Sequence, residues 1–374
     1  MSEIRLNVVG ACERIVEEAS RLAGQNYAYN LKRKTGALDA INALENGPAV
    51  EQATRARLIT QQNGRKLAKL HIYYDQRTKP CQISQDCDQS VCDDGVTPVR
   101  KEVDITIDNC LKTPVRSYSN DDMAALCNDT ENFMRDRGFN DLRAAKELWS
   151  ERIMAEMISM KGINHQFNGA DIAAGVDKDI QLLYSSNGQS IPQPGNFAKM
   201  MLDYRSNQLM GTPLIVGEGN FELFWELHGM SCCNSETPFG TANMSGKSRF
   251  YVDDAANEVL GMNHLLMFAP GAVKLLTFNE NRNIQATGVN TNDRMNIVIP
   301  DPDGYPFDWN LDFYFDNCMK TWKSMYSVLW GLFNVFQDDS FADDGEDTSP
   351  DVSPDCADEL DGMTGVFGYH VTEG

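Results

Sequence analysis

Residues 119–161, SNDDMAALCNDTENFMRDRGFNDLRAAKELWSERIMAEMISMKG, hold one structural period longer than any other stretch of the chain. Positions suited to a buried face recur three and four apart at Met123, Leu126, Thr130 and Phe133, then at Leu142, Ala145, Trp149, Ile153, Met157 and Met160, which is the stripe of an amphipathic helix. Ser119 with Asp121 and Asp122 suits a helix start, and Lys161 with Gly162 suits an end. Gly138, followed by Asn140 and Asp141, reads as a stop and restart, so a shorter helix is expected before a longer one over 141–161. A helix with one apolar stripe needs a partner surface, and the rest of the chain must supply it.

Ahead of this element, residues 4–23 repeat apolar positions at helical spacing, and 35–46 do so again with Leu38, Ile41 and Leu44 on one face. Pro48 opens a third expected helix reaching Asn63-Gly64. The period then changes. Leu67, Leu70, Ile72, Tyr73 and Tyr74 mark a strand, 75–98 is a polar excursion, and Val103, Ile105 and Ile107 alternate in a second strand. Such a long hairpin is marginal alone in water, so it is expected to rest on something outside its own subunit.

Beyond the long helix, residues 163–195 read as polar loop, with Asn187-Gly188 and 192–195, PQPG, as turn signals. Residues 197–210 read as a helix, 214–216 as a buried strand and 218–228 as another helix. Strands are expected at 250–252 and within 264–278, where Pro270-Gly271 makes a break. From Met295 the chain becomes β-rich: a strand at 296–299, a turn at Asp301-Pro302-Asp303-Gly304, then Trp309, Leu311, Phe313 and Phe315 alternating with polar residues, and a long aromatic strand over 322–336. So apolar a two-stranded element would aggregate if left bare, and it is expected to pack on the long helix or on a neighbour. A last short strand is expected at 365–371.

Charge narrows the function. The 374 residues carry 33 Lys and Arg against 54 Asp and Glu, a net charge of -21, and residues 338–374 contain twelve acidic side chains and no basic one. A sequence-specific nucleic-acid reader needs a basic stripe, and none is present beyond a mild N-terminal excess. The ten cysteines include no CxxC; Cys81, Cys87, Cys92 and Cys110 are spaced too loosely for structural zinc, so free thiols in a reducing compartment are the reading. Val9-Gly10-Ala11-Cys12 mimics a lipoprotein box, but Glu3 and Arg5 occupy the place of an apolar signal core. There is no run of 18 apolar residues to span a bilayer, and no membrane association is expected.

Several apparent catalytic motifs fail on spacing. Gly240 to Ser248 resembles a phosphate-binding loop, yet five residues separate its glycines where four are needed for the backbone N–H groups to close around a phosphate. Asp253-Asp254 lies too close to Lys247 to be the partner strand of such a site. After Gly217-Glu218-Gly219, Glu222 stands where a dinucleotide fingerprint needs its third glycine. The five histidines are scattered, and Asp301-x-Asp303-Gly304 lacks the downstream glutamate of a calcium loop. No catalytic residue, metal or cofactor is expected. The alternative class is a soluble acidic hydrolase using carboxylates near Asp301, Asp303 and Asp308.

The order of segments, together with the phrases FAPGAV at 268–273, DPDGYPFDW at 301–309, FDNC at 315–318 and LWGLF at 329–333, resembles the HK97-fold major capsid proteins of tailed bacteriophages over about residues 64–336. The resemblance implies an α+β fold divided into a helical N-terminal arm (1–63), an extended hairpin loop (64–115), a peripheral domain with the spine helix (116–165), an axial domain (166–294), peripheral strands (295–337) and an acidic C-terminal extension (338–374). It implies a structural, non-enzymatic subunit that assembles as pentamers and hexamers into an icosahedral shell around double-stranded DNA, without sequence-specific binding. Scaffold, portal and decoration proteins are the implied further partners, and the virion, assembled in the bacterial cytoplasm, the implied location. Lys66, Lys69, Arg77, Lys79 and Arg100 make the hairpin arms basic and are expected to meet an acidic neighbouring subunit. Leu142, Ala145, Trp149, Ile153 and Met157 are expected to form the buried face of the spine helix.

Overall fold

The computed structural model describes residues 33–43, 57–62, 65–75, 100–107, 109–118, 130–186, 189–192, 194–209, 211–219, 221, 248–278, 294–334 and 363–373. In chain order the described elements are α1 (Gly36–Ile41), β1 (Arg57–Gln62), β2 (Arg65–Asp75), β3 (Arg100–Ile107), β4 (Asn109–Lys112), β5 (Arg116–Tyr118) and the long helix α2 (Thr130–Ser159). There follow β6 (Asn164–His165), β7 (Asp171–Ile172), β8 (Lys178–Ser186), β9 (Gln189–Pro192), α3 (Pro194–Ser206), β10 (Leu214–Gly217), β11 (Arg249–Val252) and α4 (Ala256–Val259). The chain closes with β12 (His264–Phe268), β13 (Val273–Phe278), β14 (Arg294–Pro300), β15 (Asp308–Asp316), β16 (Thr321–Asn334) and β17 (Val366–Glu373). The expected helix at 4–23 lies outside the described residues, as do residues 220 and 222–228 of the helix expected at 218–228.

Helix α2 runs without interruption for 30 residues, so the expected stop at Gly138 does not occur. Gly138 is there for clearance: a Cβ at this position would stand 2.6 Å from the Tyr326 hydroxyl oxygen. Leu142, Ala145, Trp149, Ile153 and Met157 are all buried. Each turn also buries a second residue beside the stripe, Asp141, Lys146, Ser150 and Met154, so the covered face is two residues wide and partly polar.

That face packs on the sheet formed by β13, β16, β15 and β14, with β4 and β5 added along β16. The antiparallel register sets Leu311 opposite Tyr326, and Phe315 opposite Trp322. Alternation of side chains along β15 and β16 turns Trp309, Leu311, Phe313, Trp322, Tyr326, Val328 and Trp330 inward. The Trp149 ring then lies 4.7 Å from Phe307 and 5.8 Å from both Trp309 and Trp330, centroid to centroid, in the edge-on and tilted arrangements that aromatic rings favour. Arg116 on β5 forks onto Asp141 with contacts of 2.9 and 2.5 Å, tying the sheet edge to the helix.

A second six-stranded sheet has the order β11-β10-β12-β17-β8-β9. Its strands β10, β11 and β12 are short, continuous apolar runs buried on both faces. The break at Pro270-Gly271 separates two sheets: β12 pairs in this one and β13 in the other. Both sheets share one apolar core that includes Trp149, Trp330, Leu214, Phe268 and Val366.

Several boundaries expected from sequence are corrected. Residues 163–195 contain β6 to β9; β8 carries Ile180, Leu182 and Tyr184 at alternate positions and pairs in parallel with β17, nearly two hundred residues later. The last short strand expected at 365–371 is present as β17; it lies between β12 and β8, so the division at 338–374 as an acidic extension is what changes. β13 belongs with β14–β16 and β4 with β16, so the expected divisions at 294 and 115 cut across one sheet. Within the expected N-terminal arm, α1 is part of the core, with Leu38 and Ile41 fully buried. The expected helix ending at Gly64 is replaced by β1, which pairs with β2 and sets Gln62 opposite Arg65. Asn63-Gly64, taken as a helix end, is the dipeptide that two-residue hairpins favour.

Replacing Trp149 by Ala should lower stability by about 3–5 kcal/mol, whereas Leu148→Ala on the exposed side of the same turn should cost less than about 0.5 kcal/mol. Urea unfolding followed by circular dichroism reads both, and Trp149→Asp should yield no folded protein.

Candidate functional site: a buried polar junction

Two polar side chains one helical turn apart, Lys146 and Ser150, flank Trp149 on the covered face of α2. A lysine so deep in a core must find anions, and it does. Its Nζ lies 3.2 Å from Asp301 Oδ1 and also bonds Asp303 Oδ2, while 5.3 Å away the Tyr305 ring presents its face to the same charge. Lys146 is 1% exposed and Asp301 fully buried.

The turn after β14 positions these carboxylates. Gly304 N–H donates to the Asp301 carbonyl at 3.1 Å, closing the turn, and Asp303 N–H donates to Asp301 Oδ1 at 2.9 Å. Trp309 Nε1–H donates to Asp301 Oδ2 at 2.9 Å, so both oxygens are held. Burial pushes the Asp301 carboxyl above its ordinary range, against the opposing pull of Lys146 and of the Trp309 and Asp303 donors. The Tyr305 hydroxyl bonds Asp39 Oδ1 and stands 3.3 Å from Thr35 Oγ1, carrying the network to α1; burial and the adjacent Asp39 raise the phenol well above its usual value.

Ser150 makes the second node. Its hydroxyl donates to Asp253 Oδ2 at 2.6 Å and accepts from Leu38 N–H at 3.3 Å. Asp253 also accepts from Ala37 N–H and Ala255 N–H, each at 3.0 Å, and Asp254 Oδ2 accepts from Lys34 N–H at 2.7 Å. The acidic pair that imitated a metal-binding strand therefore grips residues 34–37. Gly36 is required for that grip, because a Cβ there would run into the carbonyl of Val252.

Other ion pairs lie beside the second sheet. Lys178 reaches Asp203 at 2.5 Å, and Asp177 is shared by Lys161 at 2.5 Å and His264 at 2.7 Å. Among the described residues, no group of three or more His, Cys, Asp or Glu side chains is placed to hold a metal ion. In the turn that begins like a calcium loop, the positive charge is supplied by the Lys146 ammonium. The three carboxylates of the hydrolase alternative have no common catalytic setting: Asp301 is sealed in the core, Asp303 is paired to Lys146, and Asp308 lies on β15 opposite Pro300. The glycine loop at 240–247 lies outside the described residues.

Of the expected contact residues, Lys66 and Lys69 lie on β2 and Arg100 on β3; Arg77 and Lys79 lie outside the described residues. Register sets Lys69 opposite Thr106 and Arg57, and Arg100 opposite Asp75. Sequence reasoning missed Lys146 and Ser150 because polar residues beside an apolar stripe ordinarily read as its solvated border.

No protein-family model and no curated protein sequence matches the chain. Solved structures do. The chain is similar to a chain of "Cyanophage A-1(L) capsid asymmetric unit", with a TM-score of 0.50 at 10% identity over 93% of this chain and 95% of that one. "Capsid of Ralstonia phage GP4" gives 0.45 at 10% identity over 83% and 89%, and "Mycobacterium phage Adephagia" gives 0.43 at 7% identity over 96% and 97%. At this identity the cyanophage likeness establishes the fold, which is the α+β fold of a phage capsid chain.

Asp253→Ala leaves the N–H groups of Ala37 and Ala255 and the Ser150 hydroxyl without their acceptor, and should destabilise the protein by about 2–4 kcal/mol. Gly36→Ala should release residues 33–43 to limited proteolysis at protease levels that leave the wild type intact.

Proposed function

We propose that this chain is the major capsid protein of a tailed bacteriophage, an HK97-fold structural subunit that assembles into an icosahedral shell around packaged double-stranded DNA. The observation that carries the reading is the shared fold with the cyanophage A-1(L) capsid chain over nearly the full length of both chains. In these terms α2 is the spine, the β13–β16 sheet is peripheral and the β8–β12 and β17 sheet is axial. Closed rings of five and six need head-to-tail contacts, in which one patch meets a different patch on the next copy. A net charge of -21 suits a container that encloses DNA without gripping it. Scaffold, portal and decoration proteins are the remaining partners in this reading, and the shell would assemble in the host cytoplasm.

The three-stranded sheet β1-β2-β3 is the intersubunit element in this reading. Register sets Ala68 opposite Leu58 and Ile107, Leu70 opposite Ile105 and Ile72 opposite Val103, and Ile107, where the sheet joins the body, is fully buried. In this reading a neighbouring copy covers the sheet beyond that anchor, and Lys66, Lys69, Arg77, Lys79 and Arg100 meet acidic side chains of that copy.

The expressed protein should sediment as particles and show closed shells by negative-stain microscopy; a monomer or small oligomer under all assembly conditions would contradict the proposal. Deleting 79–98 should leave folded, soluble subunits that do not close shells, read by circular dichroism and microscopy together.

A further inference from the structure

The lysine at the junction differs from two other lysines that pair with carboxylates, the buried Lys161 and the half-buried Lys178. Lys161 and Lys178 each meet one carboxylate among the described residues. Lys146 meets two, under the face of the Tyr305 ring and beside the Asp301 carboxylate that Trp309 holds, and it is 1% exposed. The amine and the Asp303 carboxyl are in direct contact, 157 residues apart in sequence. The second carboxyl, Asp301, is locked by Trp309 and by the Asp303 amide and aims Oδ1 at the same nitrogen. A nucleophile, an electrophile and an acid–base group are therefore held together by the fold before any reaction.

We propose that the folded chain joins Lys146 to Asp303 through an intrachain isopeptide bond, with Asp301 moving the protons. The ammonium first gives one proton to the Asp303 carboxylate. An ion pair becomes two neutral groups, the form that the burial of the Lys146 amine favours. The neutral Nζ attacks Asp303 Cγ, forming the N–C bond. Asp301 takes a proton from the nitrogen and returns one to the departing oxygen as the C–O bond breaks, so that one water leaves and Asp301 ends as it began. Of the three ammonium hydrogens one stays on the amide nitrogen and two depart in the water; nothing is oxidised or reduced. Burial, by raising the Asp301 carboxyl above its ordinary range, suits it to carry that proton. The product pins α2 to the turn before β15 and makes the aromatic contact around Trp149 permanent.

The fold alone supports this proposal, so its outcome is independent of shell formation. Intact mass spectrometry of the denatured full chain should give a mass one water below that of the sequence, and digestion should yield a branched peptide joining Lys146 to Asp303. Lys146→Arg should restore the full mass. Asp301→Asn, with folding checked by circular dichroism, should leave most chains unlinked. A wild-type chain of full mass with Lys146 in a linear peptide overturns the proposal. So does a water loss that persists in Lys146→Arg, which would mark an imide at Asp303-Gly304, and so does a branch at Asp301. Complete linkage in folded Asp301→Asn would remove Asp301 from the reaction.

Discussion

The packing of Trp149 against Phe307, Trp309 and Trp330 is the contact on which the rest of the molecule depends. Neither partner is self-sufficient. The β15–β16 pair is too long and too apolar on its inner face to stand in water, and α2 has one covered face. Together they bury each other and create a platform onto which α1 and the second sheet continue the same core. The polar nodes at Lys146 and Ser150 add direction to this packing. Aromatic surface is forgiving about rotation, whereas the pairing of Lys146 with Asp301 and of Ser150 with Asp253 is satisfied in one register of the helix, and an unpaired buried charge costs several kcal/mol, on the order of 3–5.

Features with a strong local period were legible in the sequence. The stripe from Leu142 to Met157 is buried as its spacing requires, and alternation along β15 and β16 turns the tryptophans inward. The break at Pro270-Gly271 was visible too, although not that it transfers the chain from one sheet to the other. What escaped depends on distant partners. β8 has its alternation at Ile180, Leu182 and Tyr184, but it becomes a strand by pairing with β17 across almost half the chain. Gly138 carries a strong local helix-stop signal that a tertiary requirement, room for Tyr326, overrides. Lys146 and Asp301 were individually unremarkable, and only their juxtaposition makes a site.

The packing is continuous where α2, α1 and both sheets share one apolar core. The β1–β3 sheet joins that body near Ile107, which is fully buried. With β17 between β12 and β8, the second sheet is complete only when residues 366–373 are in place.

Amide hydrogen exchange on the folded subunit tests the organising role of the Trp149 contact most directly. Residues 142–157 of α2, together with β15 and β16, should be the slowest to exchange and should open together, with one common free energy equal to that of global unfolding. If α2 exchanges well ahead of β15 and β16, through an opening that leaves the sheet protected, the helix and sheet are independent and the account of how this fold is held together is wrong.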